Sequence, residues 1–326
     1  MSLSIIQQRI LQPFIDETLA NLKAMAGMQG HTDEGFTDQV DQFRFKGYAI
    51  CAETHGCIDG VMLMHHYVET AVAMGNSVRK HVLGDEEEFT EINEPMADAL
   101  AEWGNTVLGR ATKVLGAYHL NINFEPPYFV FDTDTMTSLL TGVKDIITVP
   151  VHIDNVGRFY FNYLIRSVNS DLAESDSVNA EAAPDADHCV VVDKHGAESS
   201  DEPLDFSKKI MIVDDMKMVR TSIRHFLKKL GYENTIEAEN GRVAVEMHKN
   251  EKPDFIFMDM VMPEMTGNEA LKKIRETSAE TPVVMLTSVA DKDVISECEA
   301  IGIAGYVIKP LTVETGPGVL GSFLKQ

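Results

Sequence analysis

Basic side chains are scarce in this chain of 326 residues. Against 51 Asp and Glu stand 28 Lys and Arg, for a formal net charge of −23. A protein that neutralises a phosphate backbone needs the opposite balance, so the composition argues against a nucleic-acid binder. Cysteine is scarce too. Cys51, Cys57, Cys189 and Cys298 make no C-x-x-C pair, and neither His152 nor His65–His66 has a cysteine at metal-ligand spacing. That excludes a zinc module or disulfide scaffold and leaves reduced, buried thiols. No stretch approaches the roughly 20 apolar residues of a membrane helix. The opening MSLSIIQQRILQPFIDETLA lacks the basic start and unbroken apolar core of a signal peptide. The expectation is a cytoplasmic protein with no membrane partner.

The charge that is present is unevenly spread. Residues 1–166 carry a net −11, residues 167–206 a net −10 with Lys194 as their one base, and residues 207–326 only −2. The length suits two domains, each with its own core. The middle segment is rich in Ser, Ala and acids and poor in aromatics, and it cannot bury enough surface to offset its ordering entropy. It is expected to be a flexible acidic tether with a reach of about 35 Å. CVVVD within it could add a short strand to a neighbour, with an extended tether the favoured reading.

The segments IMIVDD (210–215) and FIFMD (255–259) are short apolar runs ending in carboxylates. Such runs fit parallel strands buried on both faces, and chemistry in an open α/β sheet sits at their carboxyl ends. Asp214, Asp215 and Asp259 are thus expected to converge at one sheet edge, where crowded carboxylates need a cation and hard oxygen ligands suit Mg²⁺. Strand and helix signals alternate five times over 208–326, an α/β doubly wound five-stranded parallel sheet. Thr287 and Lys309 also fall at strand ends, with Tyr306 three residues before the lysine. A cation and Lys309 neutralising phosphoryl oxygens would leave Asp259 as nucleophile.

The Asp pair, the MDxxMPxMxG signature, the Thr-Ser strand end and the Lys-Pro dipeptide together resemble the CheY-like response-regulator receivers, whose fold is flavodoxin-like. The resemblance implies Mg²⁺ on Asp214, Asp215 and Asp259, and phosphorylation of Asp259 by a CheA-like histidine kinase. It also implies that Thr287 and Lys309 hold the phosphoryl group, that Tyr306 is a rotamer switch, and that Lys309–Pro310 is a cis peptide. One departure is Gly316–Pro317–Gly318, which is expected to interrupt the last helix. Val261 and Val289, two residues past Asp259 and Thr287, are apolar and flank the path of an attacking water, so slow spontaneous dephosphorylation is expected.

Residues 1–166 read as an α+β domain. An amphipathic helix spans 4–26, broken near Gln12–Pro13. A strand hairpin spans 43–66, helices cover 67–84 and 94–116, and three strands follow near 119–124, 145–153 and 157–166. In the 94–116 helix, Leu100, Val107, Ala111, Val114 and Leu115 cluster on one face with Trp103 at its margin. Asp98, Glu102 and Asn105 lie on the opposite face, within about 60° of one another by the 3.6-residue period, followed by Gly109 and Gly116. By itself such a stripe is an ordinary solvated helix face.

With Pro127 following Asn105 after 21 residues, the pattern resembles the CheC/CheX/FliY phosphatases of phosphorylated CheY, and LQPFIDETLANLKAMAG resembles the opening helix of the CheX branch. The resemblance implies that Asn105 orients a water on an aspartyl phosphate, that Glu102 pairs with a receiver lysine, and that Asp98 supports docking. Glu69, Ala73 and Asn76 repeat the offsets with Ala in the Glu place, a spent copy at best. The expected partners are a CheY-like phospho-receiver, in cis or trans, and a second copy forming a homodimer through the N-terminal domain. The alternative function is a phosphorylation-controlled docking or dimerisation module, or a phosphate sink, without turnover.

Overall fold

In the computed structural model of this protein, residues 10–45, 47–117, 122–125, 127–168, 192–193, 205–287 and 292–325 are described. The chain divides into two compact units.

The first unit is built on one antiparallel sheet of eight strands. They are β1 (Gly30–Thr32), β2 (Phe36–Asp38), β3 (Tyr48–Gly56), β4 (Ile58–His66), β5 (Ile122–Phe124), β6 (Tyr128–Val130), β7 (Asp145–Ile153) and β8 (Gly157–Val168). Their order is β1-β7-β8-β4-β3-β5, with β2 also on β7 and β6 also on β3. Helices α1 (Gln12–Ala26), α2 (Val68–Val78) and α3 (Glu94–Ala117) accompany it, as does the short α4 (Thr133–Leu139). Phe14 of α1 meets Phe161 and Phe124, and Trp103 of α3 meets His66 and Phe159, so both helices pack on the same sheet face. On the opposite face Cys51, Val61, Leu63, Ile146 and Leu164 pack with Met136 and Leu139 of α4. Central β4 is therefore buried almost throughout, and IDGVMLMHH shows no alternation because neither face meets water.

The second unit is a parallel sheet of β10 (Ile210–Val213), β11 (Thr235–Ala238), β12 (Phe255–Asp259), β13 (Val283–Thr287) and β14 (Gly305–Ile308) in the order β11-β10-β12-β13-β14. Its helices are α5 (Lys217–Lys229), α6 (Gly241–Glu251), α7 (Gly267–Arg275), α8 (Lys292–Ile301) and α9 (Gly316–Leu324). Alternate strand residues feed two cores. Ile210, Ile212, Phe257, Val284 and Leu286 pack against Ile223, Phe226, Leu320 and Phe323 of α5 and α9. Met211, Val213, Met258 and Met285 pack against Ala244, Leu271, Ile274 and Cys298 of α6, α7 and α8. Phe226 is fully buried, so Phe226→Ala would cost about 3–5 kcal/mol.

Helix α1 begins at Gln12, where the break near Gln12–Pro13 is expected, and a proline in its first turn removes an amide that has no intrahelical partner anyway. Residues 4–9 of the expected helix lie outside the described residues. Several expectations are corrected. Gly316–Pro317–Gly318 does not interrupt the last helix but opens it, again with Pro in the first turn. A Cβ on Gly316 would stand 2.5 Å from the Phe226 ring, so this glycine permits the close approach of α9 to α5. The hairpin expected from residue 43 begins at Tyr48. Strands β1, β2 and β6 and helix α4 were not anticipated, being too short to show periodicity. Within the expected tether, Val192–Asp193 forms strand β9, antiparallel to β14. Cys51, Cys57 and Cys298 are buried thiols, and Cys189 lies outside the described residues. Among the described residues no helix is long and apolar enough to cross a membrane.

Candidate functional site

Register brings the carboxylates of the second unit together. Val213 pairs with Met258, so Asp214 leaves β10 beside the end of β12, where Asp259 is the last residue. Asp259 pairs with Leu286 and Thr287 with Ile308. The Lys309 amide, the first beyond β14, donates to the Thr287 carbonyl at 2.7 Å. Lys309–Pro310 is cis. Four parallel strands, β10, β12, β13 and β14, thus deliver Asp214, Asp259, Thr287 and Lys309 to one edge.

That edge is nearly dry. Asp214 is 0% exposed, Thr287 2%, Lys309 5% and Asp259 6%. The Lys309 ammonium donates to Asp214 Oδ2 at 2.6 Å and stands 2.9 Å from Asp259 Oδ1. Buried charges persist only when paired, and here one ammonium serves two carboxylates. Asp215 is exposed by comparison, yet partial desolvation and then the charge of Asp214 raise its carboxyl above the ordinary range, with Lys309 opposing. Three carboxylates and one ammonium leave a formal charge of about −2, which a divalent cation would balance, and an all-oxygen donor set suits Mg²⁺. The chemistry of these residues fits that ion. In this arrangement the Lys309 ammonium bridges Asp214 and Asp259.

Two residues of this edge were not anticipated. Arg220 donates to the carbonyls of Asp214 (2.8 Å) and Asp215 (3.1 Å) and so fixes the loop that carries both acids. Gly267 opens α7 directly behind β12, where a Cβ would overlap the Asp259 carbonyl oxygen. The glycine of MPEMTG was the available signal for the second; a lone arginine six residues after Asp214 carried none for the first. Tyr306 is half-buried and packs at the margin of the methionine-rich core. Val261 is 75% exposed, and Val289 lies outside the described residues.

In the first unit, Asp98, Glu102 and Asn105 lie on the uninterrupted helix α3 at i, i+4 and i+7, one above the other along one side. They do not form a solvated face: Glu102 is buried and the other two are half-buried. The two residues between Glu102 and Asn105 anchor this turn. Trp103 is fully buried rather than marginal, set edge-on to His66 and Phe159, at 5.9 Å from each ring. Gly104 lets α3 lie close to β3, since a Cβ there would stand 2.9 Å from the Ile50 side chain. The polar triplet is therefore carried on a turn held by packing. Pro127 is half-buried and immediately precedes β6. In α2 the amide of Asn76 is already used: it donates to the Phe89 carbonyl at 2.9 Å and accepts from the Phe89 amide at 3.0 Å.

Comparison with known proteins identifies both units. Residues 210–316 match the response regulator receiver domain, and residues 48–151 match the family described as chemotaxis phosphatase CheX. The chain is 41% identical over 108 residues to chemotaxis protein CheY of Pseudomonas aeruginosa, covering 32% of this chain and 87% of that protein. It is 36% identical over 106 residues to chemotaxis protein CheY of Bacillus subtilis, covering 32% and 88%. A crystal structure of a chemotaxis protein CheX from Desulfovibrio desulfuricans aligns at 19% identity and TM-score 0.38, over 48% of this chain and 98% of that one. The chain belongs to the response-regulator receiver family through its second unit and joins that receiver to a CheX domain, which places it in chemotaxis two-component signalling.

Proposed function

We propose that this chain, a CheX domain joined to a CheY-like receiver, accepts a phosphoryl group on Asp259 and hydrolyses an aspartyl phosphate with helix α3. One observation carries the reading: the same chain holds a dry Lys309–Asp214–Asp259 edge and a polar triplet fixed on α3 by Trp103 and Gly104.

In the accepting step, a carboxylate oxygen of Asp259 attacks the phosphorus of a phosphohistidine on a CheA-like kinase. The P–N bond breaks, and the imidazole leaves with the bonding pair. Lys309 and the Thr287 hydroxyl are suited to hold the phosphoryl oxygens as they take up charge. Asp214, Asp215 and Asp259 would hold Mg²⁺, which when bound supplies positive charge for the same oxygens.

Hydrolysis transfers the phosphoryl group to water. The water oxygen bonds to phosphorus, the P–O bond to Asp259 breaks, and inorganic phosphate and the carboxylate are released. Such a reaction is governed by positioning and charge stabilisation, so the missing part is a water held in line with the breaking bond. The Asn105 amide can donate to and accept from that water without being a strong base. Glu102 would pair with the receiver lysine and dock the helix, with Asp98 supporting. The substrate is a CheY-like receiver, either the fused one or a separate one. We place a homodimer contact in the CheX domain by family resemblance; a monomeric mass by light scattering at micromolar concentration removes it.

The test is the decay of acid-labile phosphate after loading the full chain with a small phosphodonor and Mg²⁺. Asn105→Ala should slow decay by about 10²-fold, the scale of losing one preorganised polar group, and Asp98→Ala should slow it much less. Equal decay in wild type and Asn105→Ala, with the fused receiver and with an added CheY-like phosphoprotein alike, would leave only a docking module.

A further inference from the structure

Strand β11 lies at one edge of the receiver sheet, and one of its residues is out of character for a packed layer. Glu237 stands opposite Ile212, whose side chain enters the core shared with α5 and α9. That register position suits an apolar residue, yet it holds a carboxylate that is only 25% exposed. Two arginines of α5 converge on it from i and i+4. Arg220 Nε donates to Glu237 Oε2 at 3.2 Å, and Arg224 Nη1 donates to Oε1. Arg224 is 49% exposed and Arg220 only 13%. A partly buried ion pair is weak as a source of stability, since apolar residues of similar volume often serve as well. The use of this one lies on the far side of the Arg220 guanidinium.

That side reaches the turn that carries the acids. Arg220 Nη1 donates to the Asp214 carbonyl at 2.8 Å and to the Asp215 carbonyl at 3.1 Å. Both carbonyls lie beyond the β10–β11 ladder, which closes with the Asp214 amide on the Ala238 carbonyl at 3.2 Å. Helix α5 then starts at Lys217. Within the turn, the Met216 amide donates to Asp214 Oδ1 at 2.9 Å, while Asp214 Oδ2 accepts from Lys309. A shift of these three residues would therefore move the Asp214 carboxylate against Lys309 and swing Asp215 with it. We propose that Arg220 and Glu237 are a positioning pair for the carboxylate edge: Glu237 aims the guanidinium, and the guanidinium fixes the turn from which Asp214 and Asp215 would present oxygen to a divalent cation. This role rests on the acceptor half of the proposed function and is independent of helix α3.

Charge and geometry make opposite demands at this place, so the sign of the effect identifies the role. A positive charge beside two acids repels a cation, and its removal would by itself tighten Mg²⁺ binding. Loss of an outer partner that orients metal ligands loosens binding instead, by about tenfold or more. Lysine separates the two as well. It keeps the charge, but a single ammonium cannot replace a planar fork that spans two carbonyls and Glu237.

The test is calorimetric titration of Mg²⁺ into the full chain and its variants Arg220→Lys, Arg220→Gln, Glu237→Gln and Arg224→Ala. Both Arg220 variants should raise the Mg²⁺ dissociation constant about tenfold, and Glu237→Gln about threefold. Arg224→Ala leaves Arg220 on Glu237 and should stay within about twofold of wild type. In metal-free protein the Met216 amide should exchange about tenfold faster in Arg220→Lys while the β12 amides keep their protection. Tighter binding in Arg220→Gln, unchanged binding in Arg220→Lys or unchanged Met216 exchange overturns the positioning role. Should Arg220→Gln fail to fold, Arg220→Lys and Glu237→Gln decide it. A wild type that binds no Mg²⁺ overturns the metal site and this role together. A wild type that binds Mg²⁺ but takes no phosphoryl group from a small phosphodonor defeats the acceptor reading instead, and the dissociation constants still decide what Arg220 and Glu237 do.

Discussion

His66 lies beneath the helix that carries Asn105, and burial should make that helix sensitive to acid. The imidazole is 1% exposed, stacks on Phe159 at 4.5 Å and meets the edge of Trp103. Its Nδ1 is 3.0 Å from the Met64 carbonyl, an acceptor that requires the proton on that nitrogen, and Nε2 has no hydrogen-bond partner. Burial, and then the neighbouring His65, lower its pKa from 6.5 to about 3, with the Met64 contact opposing. The unfolded chain binds a proton below about pH 6.5 that the folded chain refuses until about pH 3. Stability from this group is therefore complete above pH 6.5 and is lost as the pH falls through that window. The slope is about 1.4 kcal/mol per pH unit, or about 2 kcal/mol between pH 6.5 and 5. Trp103 is the only tryptophan of the chain and is fully buried, so its fluorescence reports unfolding of the CheX domain alone. Urea unfolding followed at 295 nm excitation (about the red edge of tryptophan absorption, chosen to spare the tyrosines) would be compared at pH 7, 6 and 5 for wild type, His66→Phe and His66→Gln. The wild-type curve should fall more steeply than both variants by about 1.4 kcal/mol per unit. Parallel curves would refute the reasoning, whatever the variants do to stability at pH 7.

Three further outcomes are expected. Gly267→Ala should lower phosphorylation of Asp259 by small phosphodonors at least about tenfold while the β12–α7 junction shifts, because the added methyl meets the Asp259 carbonyl; wild-type incorporation would show that the loop adapts freely. Asn76→Ala should destabilise the CheX domain by about 1–3 kcal/mol, through two lost hydrogen bonds to the Phe89 backbone, without changing the Asn105-dependent decay per folded molecule; slower decay at full folding would restore α2 as a second active helix. Val261→Asn should speed spontaneous loss of phosphate from Asp259 several-fold and leave urea stability within about 0.5 kcal/mol, since Val261 is 75% exposed; an unchanged lifetime in an Asn105→Ala background would exclude Val261 as a shield against water.

The receiver was legible because its signals are local. A strand buried on both faces must be a continuous apolar run, so IMIV, FIFM and VVML announce themselves, and parallel strands must carry the residues that follow them to the same edge. Sequence by itself therefore determined that Asp214, Asp259, Thr287 and Lys309 share an edge, and that Asp98, Glu102 and Asn105 share a helix side. Tertiary structure decided what those groups touch. That Lys309 lies between Asp214 and Asp259, that Glu102 is buried, and that Trp103 and Gly104 hold the turn between Glu102 and Asn105 all depend on elements distant in sequence. The same holds for β1, β2, β6 and β9, strands of two or three residues. Their pairing is made by backbone groups that every residue carries, so no side-chain pattern marks the partner, and only the open edge of a folded sheet selects it.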